Sequence, residues 1–135
     1  MTEKCRLCGC LLHRTKDTYA KPTVLGRSHA TKHHYVAKRF FGRSTNRQGT
    51  QREAIFQKEH HWGQKNGTEV FCYECHEELL HNPVLLPDDF DSLAKIIRIR
   101  KLNETEKTES REKNAGRIEV LHEVLKEGIK AVLKK

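Results

Sequence analysis

Two Cys-x-x-Cys pairs, Cys5-Arg-Leu-Cys8 and Cys72-Tyr-Glu-Cys75, constrain this chain more than any other feature. Two residues between thiolates let one tight turn present both sulfurs to a single ion, and tetrahedral zinc needs two such turns. The long stretch of chain between the pairs is no obstacle, because coordination depends on approach in space. Structural Zn2+ on Cys5, Cys8, Cys72 and Cys75 is therefore expected, with folding that depends on metal and on pH because thiols must lose protons to bind. The fifth cysteine, Cys10, is either a spare thiol or a replacement for Cys8. A redox dithiol is the other reading of Cys-x-x-Cys, and nothing else in the sequence argues for it.

The 135 residues allow one modest domain rather than two. With 36% apolar and 33% charged residues the core must be thin, which suits a metal staple. An odd cysteine count with paired Cys-x-x-Cys points to a reducing compartment. No stretch reaches the ~18–20 apolar residues of a membrane span, and Met1–Cys10 has no apolar signal region. The expectation is an intracellular, cytoplasmic protein with no membrane partner. Lys and Arg total 26 against 18 Asp and Glu. The excess is uneven: between Arg14 and Arg52 lie ten basic residues and one acid, Asp17, whereas from Asp88 onward twelve basic residues face ten acids. The basic half is where a polyanion would sit, nucleic acid above all; a merely solubilising surface is the plainer alternative.

The pattern of residues predicts an α+β chain. A strand is expected around His33 to Phe41, a turn at Phe40-Phe41-Gly42, and a short helix from Arg52 to Glu59 with Ile55 and Phe56 inward. Asn66-Gly67 is a turn signal, Glu69 to Tyr73 reads as a second strand, and a helix follows from about Glu74 to Leu80. Beyond Pro83 and Pro87, Asp88 or Asp89 can cap a helix with Phe90, Leu93, Ile96, Ile97 and Leu102 on its apolar side. Ile118, Leu121, Leu125, Ile129 and Val132 keep a helical period and should pack on the first domain or on a second subunit, which makes a homodimer through the C-terminal helices an open expectation. Asn103 to Asn114 is polar, either solvated helix or linker. The division is a core over 1–87 and a helical extension over 88–135.

The nine histidines cluster. His33-His34 lies in a basic segment, His76 follows the second Cys-x-x-Cys directly, and His81 stands five residues further on. In this order (Cys-x-x-Cys, His-His, Asn, Cys-x-x-Cys-His) residues 5–82 resemble the zinc-bearing branch of the His-Asn-His, or HNH, endonucleases. The resemblance implies a small zinc-stapled ββα-metal (His-Me finger) domain followed by helices. It implies metal-dependent hydrolysis of phosphodiester bonds in DNA, leaving a 5′-phosphate and a 3′-hydroxyl. His33 matches the first position of the histidine pair, a metal ligand, and His34 the second, the general base. Asn66 falls near the middle-Asn position, with Asn46 as a weaker candidate. His76 matches the final histidine. Where the family often has Pro three residues after the base, this chain has Ala37.

Those residue types suit the chemistry. An imidazole with an ordinary pKa of ~6.5 can take a proton from water at working pH. A divalent ion (Mg2+, Mn2+, Ni2+ or Zn2+) on His33 and a helix histidine would hold the phosphate and the leaving oxygen. His76 and His81 both qualify as the helix ligand; five residues apart on an α-helix puts them ~140° apart, so one is expected to bind and His76 is favoured by its motif position. Neighbours on a strand point to opposite faces, so His33 and His34 can both reach one site only if the strand twists or bulges; the resemblance implies that both do. Lys38, Arg39, Arg43 and Arg47 are candidate nucleic-acid contacts, Arg39 with the fork geometry for a phosphate in the active site. His60 and His61 read as exposed loop residues, Trp62 as core or a lid; His13, His29 and His122 take no role.

Two other functions use the same features. A non-catalytic zinc-ribbon DNA-binding protein would need the thiolates and the basic surface but not His34. A small subunit of a larger assembly would bind through 88–135, and that segment alone should then associate. Small stand-alone members of the family occur in prokaryotic and phage settings.

Overall fold

In the computed structural model the described residues are 3–14, 27–42, 45, 48–49, 53–57, 59–64, 67–103 and 110–135. The expected Asn66 and Asn46 and the basic candidates Arg43 and Arg47 lie outside them. The fold is α+β, and among the described residues no helix is long and apolar enough to cross a membrane. Rather than parting at 87/88, the chain gathers into two compact units: 1–37 with 61–84, and 38–60 with 85–135. Lys38–Phe41 and Phe56 thus fall in the same unit as the C-terminal helices.

The first unit is built on a three-stranded sheet in the order β1 (Leu11–His13), β2 (Arg27–His34), β3 (Thr68–Cys72). β1 runs parallel to β2, and β2 antiparallel to β3 with an unbroken register from Ala30↔Cys72 to His34↔Thr68. β2 occupies Arg27–His34 rather than the expected His33 to Phe41. Its sequence, Arg-Ser-His-Ala-Thr-Lys-His-His, has no apolar alternation; pairing on both edges makes it a strand, which sequence preference does not reveal. Lys38–Phe41 forms a 3-10 turn instead, closed by the Gly42 N–H on the Arg39 carbonyl (3.2 Å) with Gly42 at positive φ. The core of this unit is small: Cys5, Leu12, Ala30, Phe71 and Cys72, with Cys10, Val70 and Cys75 partly buried against it.

After β3 the chain enters a helix over Glu74–Leu80, the residues expected, but it is a π-helix and not an α-helix. Both ends are tied. Ser28, 1% exposed on β2, donates to the Glu74 carboxylate and accepts the Tyr73 N–H at 3.2 Å. At the far end Asn82 Nδ2 donates to the carbonyls of Glu77 (2.8 Å) and Glu78 (3.2 Å), groups that a helix terminus leaves without intrahelical partners.

The second unit holds α1 (Pro87–Ile99) and α2 (Ser110–Leu133). α1 starts with proline in its first turn, where no N–H is needed. Asp89 is not the N-cap residue; its carboxylate accepts the Leu86 N–H at 2.8 Å from inside the first turn. Glu53–Gln57, expected as helix, is irregular among its described residues, yet Phe56 is buried against Phe40, Phe41 and His60, with ring centroids 5.5, 6.1 and 4.4 Å away. His60 is therefore no exposed loop residue: its ring packs on Phe56 and its Nε2 lies 3.1 Å from the Glu119 carboxylate. In the first unit, His61 is exposed in the 3-10 turn His61–Gln64 and Trp62 is half-buried. Among the described residues of α2 the buried one is Val120, which the expected stripe omits; Ile118 is half-buried, while Leu121, Leu125, Ile129 and Val132 are exposed. Gly116 lets α2 approach Leu102, whose Cδ2 would lie 2.8 Å from a Cβ there.

Candidate metal centres

Cys5 and Cys8 sit on a knuckle. An antiparallel bridge between Lys4 and Leu11 closes a short hairpin, and the Cys5 N–H bonds to the Cys10 carbonyl at 2.9 Å. Inside it the Gly9 N–H returns to the Cys5 carbonyl at 3.0 Å. Gly9 has φ +78, a left-handed conformation that glycine adopts without a steric penalty. The second pair straddles a junction: Cys72 ends β3 and Cys75 lies in the first turn of the π-helix, its N–H donating to Cys72 Sγ at 3.3 Å. The Arg6 N–H bonds to the Val70 carbonyl (3.2 Å), holding the knuckle against β3.

The four sulfurs lie within 4.8 Å of one another. Four sulfurs at ~2.3 Å from one zinc ion stand ~3.8 Å apart along a tetrahedral edge, and Cys8 Sγ is 3.8 Å from Cys72 Sγ. The cluster fits a metal ion such as zinc. Burial pushes the Cys5 thiol up, but the backbone N–H groups of Cys8, Cys72 and Leu7 outweigh it and bring it down to about 6. Burial raises Cys72 and Cys75, chiefly by desolvating their thiolates. Cys10 stands outside the group of four; burial and the neighbouring thiols Cys8 and Cys72 raise it to about 12.

The second cluster is made of imidazoles. His33 on β2, His76 on the π-helix and His81 just past its end bring one ring nitrogen each within 4.8 Å of the others. The ring centroids are 5.1 Å apart for His33–His76, 5.8 Å for His33–His81 and 4.4 Å for His76–His81. The expectation that His76 and His81 diverge fails for a clear reason. Hydrogen bonds from i to i+5 widen each turn, so residues five apart come nearly above one another. Both helix histidines, not one, join the cluster.

Burial lowers the pKa of His33, helped by the positive charge that His76, His81 and His34 would carry. Burial also lowers that of His76, with His81 adding to it and Glu77 opposing it. Neutral rings with available lone pairs are what a metal needs. His76 is 8% exposed, and its buried Nδ1 makes no hydrogen bond. Its nearest carboxylate oxygen, on Glu77, is 3.4 Å away: ion-pair range, but longer than a hydrogen bond. The three imidazoles lie close enough together to share one metal ion.

His34 is not part of this group. The β2–β3 register has no bulge, so consecutive side chains leave on opposite faces, and His34 is exposed at the end of the strand. Lys38 and Arg39 are exposed and belong to the second unit. Sequence reasoning missed Glu77, Ser28 and Asn82. The Asn82-Pro83 dipeptide was a helix-stop signal; nothing in the sequence marked the other two. Compared with known proteins, the chain matches no family model, no curated protein and no solved structure.

Proposed function

We propose that this protein is a metal-dependent endonuclease of the HNH type, with a ββα-metal core, that hydrolyses phosphodiester bonds in DNA. One observation carries the reading: an antiparallel strand pair followed by a short helix gathers His33, His76 and His81, next to a four-cysteine cluster on the same strand–helix junction. A divalent ion there would polarise the scissile phosphate and stabilise the leaving alkoxide. His33, His76 and His81 hold and orient it; Cys5, Cys8, Cys72 and Cys75 hold the structural zinc that fixes the helix. His34 is the candidate base that takes the proton from the attacking water. Its charge is felt by His33, and the role requires the ring to reach the site from the opposite face of the strand. Asn66 is the family's orienting residue by resemblance, and Lys38, Arg39, Arg43 and Arg47 are the candidate phosphate contacts. Self-association through α2 is compatible with this reading, since Leu121, Leu125, Ile129 and Val132 are exposed.

The test is cleavage of supercoiled plasmid in Mg2+, Mn2+ or Ni2+ and in excess EDTA, beside His34→Ala and His76→Ala. Nicking or linearisation that requires metal and is lost in both variants is expected. The outward position of His34 favours one alternative, a non-catalytic DNA-binding module. Folded, zinc-loaded protein that retains DNA and cuts it in no metal would establish that reading instead.

A further inference from the structure

Glu77 lies between the two helix histidines. One carboxylate oxygen is 3.4 Å from His76 Nδ1 and the other is 3.4 Å from His81 Nδ1. The carboxylate is half-buried, and the Glu77 carbonyl is pinned by Asn82 Nδ2 at 2.8 Å, so the residue's main chain is held. Both rings turn the same nitrogen toward one group. If Nδ1 is given to Glu77 in each ring, Nε2 is the nitrogen left for an ion.

We infer that Glu77 is a positioning residue that selects the tautomer of two metal ligands at once, accepting Nδ1–H from His76 and from His81 and so presenting both Nε2 lone pairs to the cation. The inference rests on the reading of His33, His76 and His81 as a divalent-metal site. Imidazoles that bind metals usually donate their other N–H to a carboxylate or carbonyl, which fixes the ring and raises its basicity. Here one side chain serves two rings, because the π-helical spacing of His76 and His81 brackets Glu77. Both separations, 3.4 Å, are longer than hydrogen bonds, and the role requires them to close when the ion binds. A glutamine cannot substitute: it has one acceptor oxygen, so one ring loses its partner.

The experiment uses full-length protein with zinc already on the thiolates. A second equivalent of Zn2+ is added, its affinity is measured by competition with a chromophoric chelator, and the histidine ring nitrogens are followed by 1H–15N NMR. Glu77→Gln is compared with Glu78→Gln, which makes the same charge change at an exposed neighbour. In the wild type, Zn2+ should move the Nε2 signals of His76 and His81 while Nδ1 stays protonated. Glu77→Gln should bind ~10–100-fold more weakly and show mixed tautomers at one ring, with Glu78→Gln like the wild type. Zinc on Nδ1 of either ring, or equal behaviour of the two variants, overturns the role of Glu77 and leaves the metal site standing. Wild-type rings that do not respond to Zn2+ overturn the metal reading and this inference together.

Discussion

Stripping the four-cysteine cluster of zinc should unfold the sheet unit. Among its described residues, the buried apolar side chains apart from Cys5 and Cys72 are Leu12, Ala30 and Phe71. Full burial of a leucine or phenylalanine is worth about 1.5–3 kcal/mol and one methyl about 0.8 kcal/mol, so the three together supply only about 4–7 kcal/mol before any chain entropy is subtracted. Zinc on a preformed structural site contributes about 10–16 kcal/mol near neutral pH, as much as the whole stability of an ordinary small domain, about 5–15 kcal/mol. A zinc ion on the four thiolates would therefore exceed the apolar core as a source of stability. Purified protein should carry zinc by elemental analysis. A strong chelator should abolish protection of the β2 and β3 amides in hydrogen exchange, and Cys72→Ser should do the same without chelator. Far-UV circular dichroism should keep much of its helical signal, because α1 and α2 belong to the other unit. Zinc-free protein whose β2 and β3 amides stay protected would refute the reasoning.

Three further outcomes are expected. His33 and His76 have pKa values lowered in the fold, so their neutral forms add stability that is present above the unfolded value of about 6.5 and is lost as pH falls through the folded values. Thermal melts of protein with zinc on the thiolates alone should thus weaken on acidification below that point, and less steeply in His76→Gln, where one such group is gone; equal slopes would count against the shift. Ser28→Ala leaves the Glu74 carboxylate and the Tyr73 N–H without their shared partner and should cost about 1–3 kcal/mol by denaturant titration. Gly128→Ala in α2 meets nothing within 4 Å and should stabilise by about 1 kcal/mol, the helix preference of alanine over glycine; Gly116→Ala should gain less, because Leu102 must swing aside.

The residues of the candidate site were more legible in the sequence than its geometry. Cys-x-x-Cys spacing marks ligands regardless of fold, so all four cysteines could be named from their motif. The Glu74–Leu80 helix was visible from its punctuation, but not its pitch. A sequence is read at 3.6 residues per turn by default, and that default separates His76 from His81 although the chain brings them together. β2 was misjudged because its residues are polar and its strand character comes from neighbours on both sides. The stripe on α2 shows the opposite limit: helical periodicity identified the helix, yet among its described residues Val120 is the buried one, Ile118 is half-buried, and Leu121, Leu125, Ile129 and Val132 are exposed.

The two clusters also stand in an ordered relation. Cys72 and Cys75 bracket the turn from β3 into the π-helix, and His76 is the next residue. Ala30, opposite Cys72, and His33, opposite Glu69, lie on the same strand pair. A metal on the thiolates therefore anchors the helix start from which His76 and His81 project. The three imidazoles gather only while that helix keeps its wide turn, a rare geometry that is frequent at functional sites. An α-helix through the same residues would carry His81 away from His76. Ser28 clamps one end of the helix and Asn82 the other. The dependence runs mainly one way: the thiolate cluster and the two clamps build the imidazole site, whereas no imidazole takes part in the knuckle hydrogen bonds that form the thiolate site.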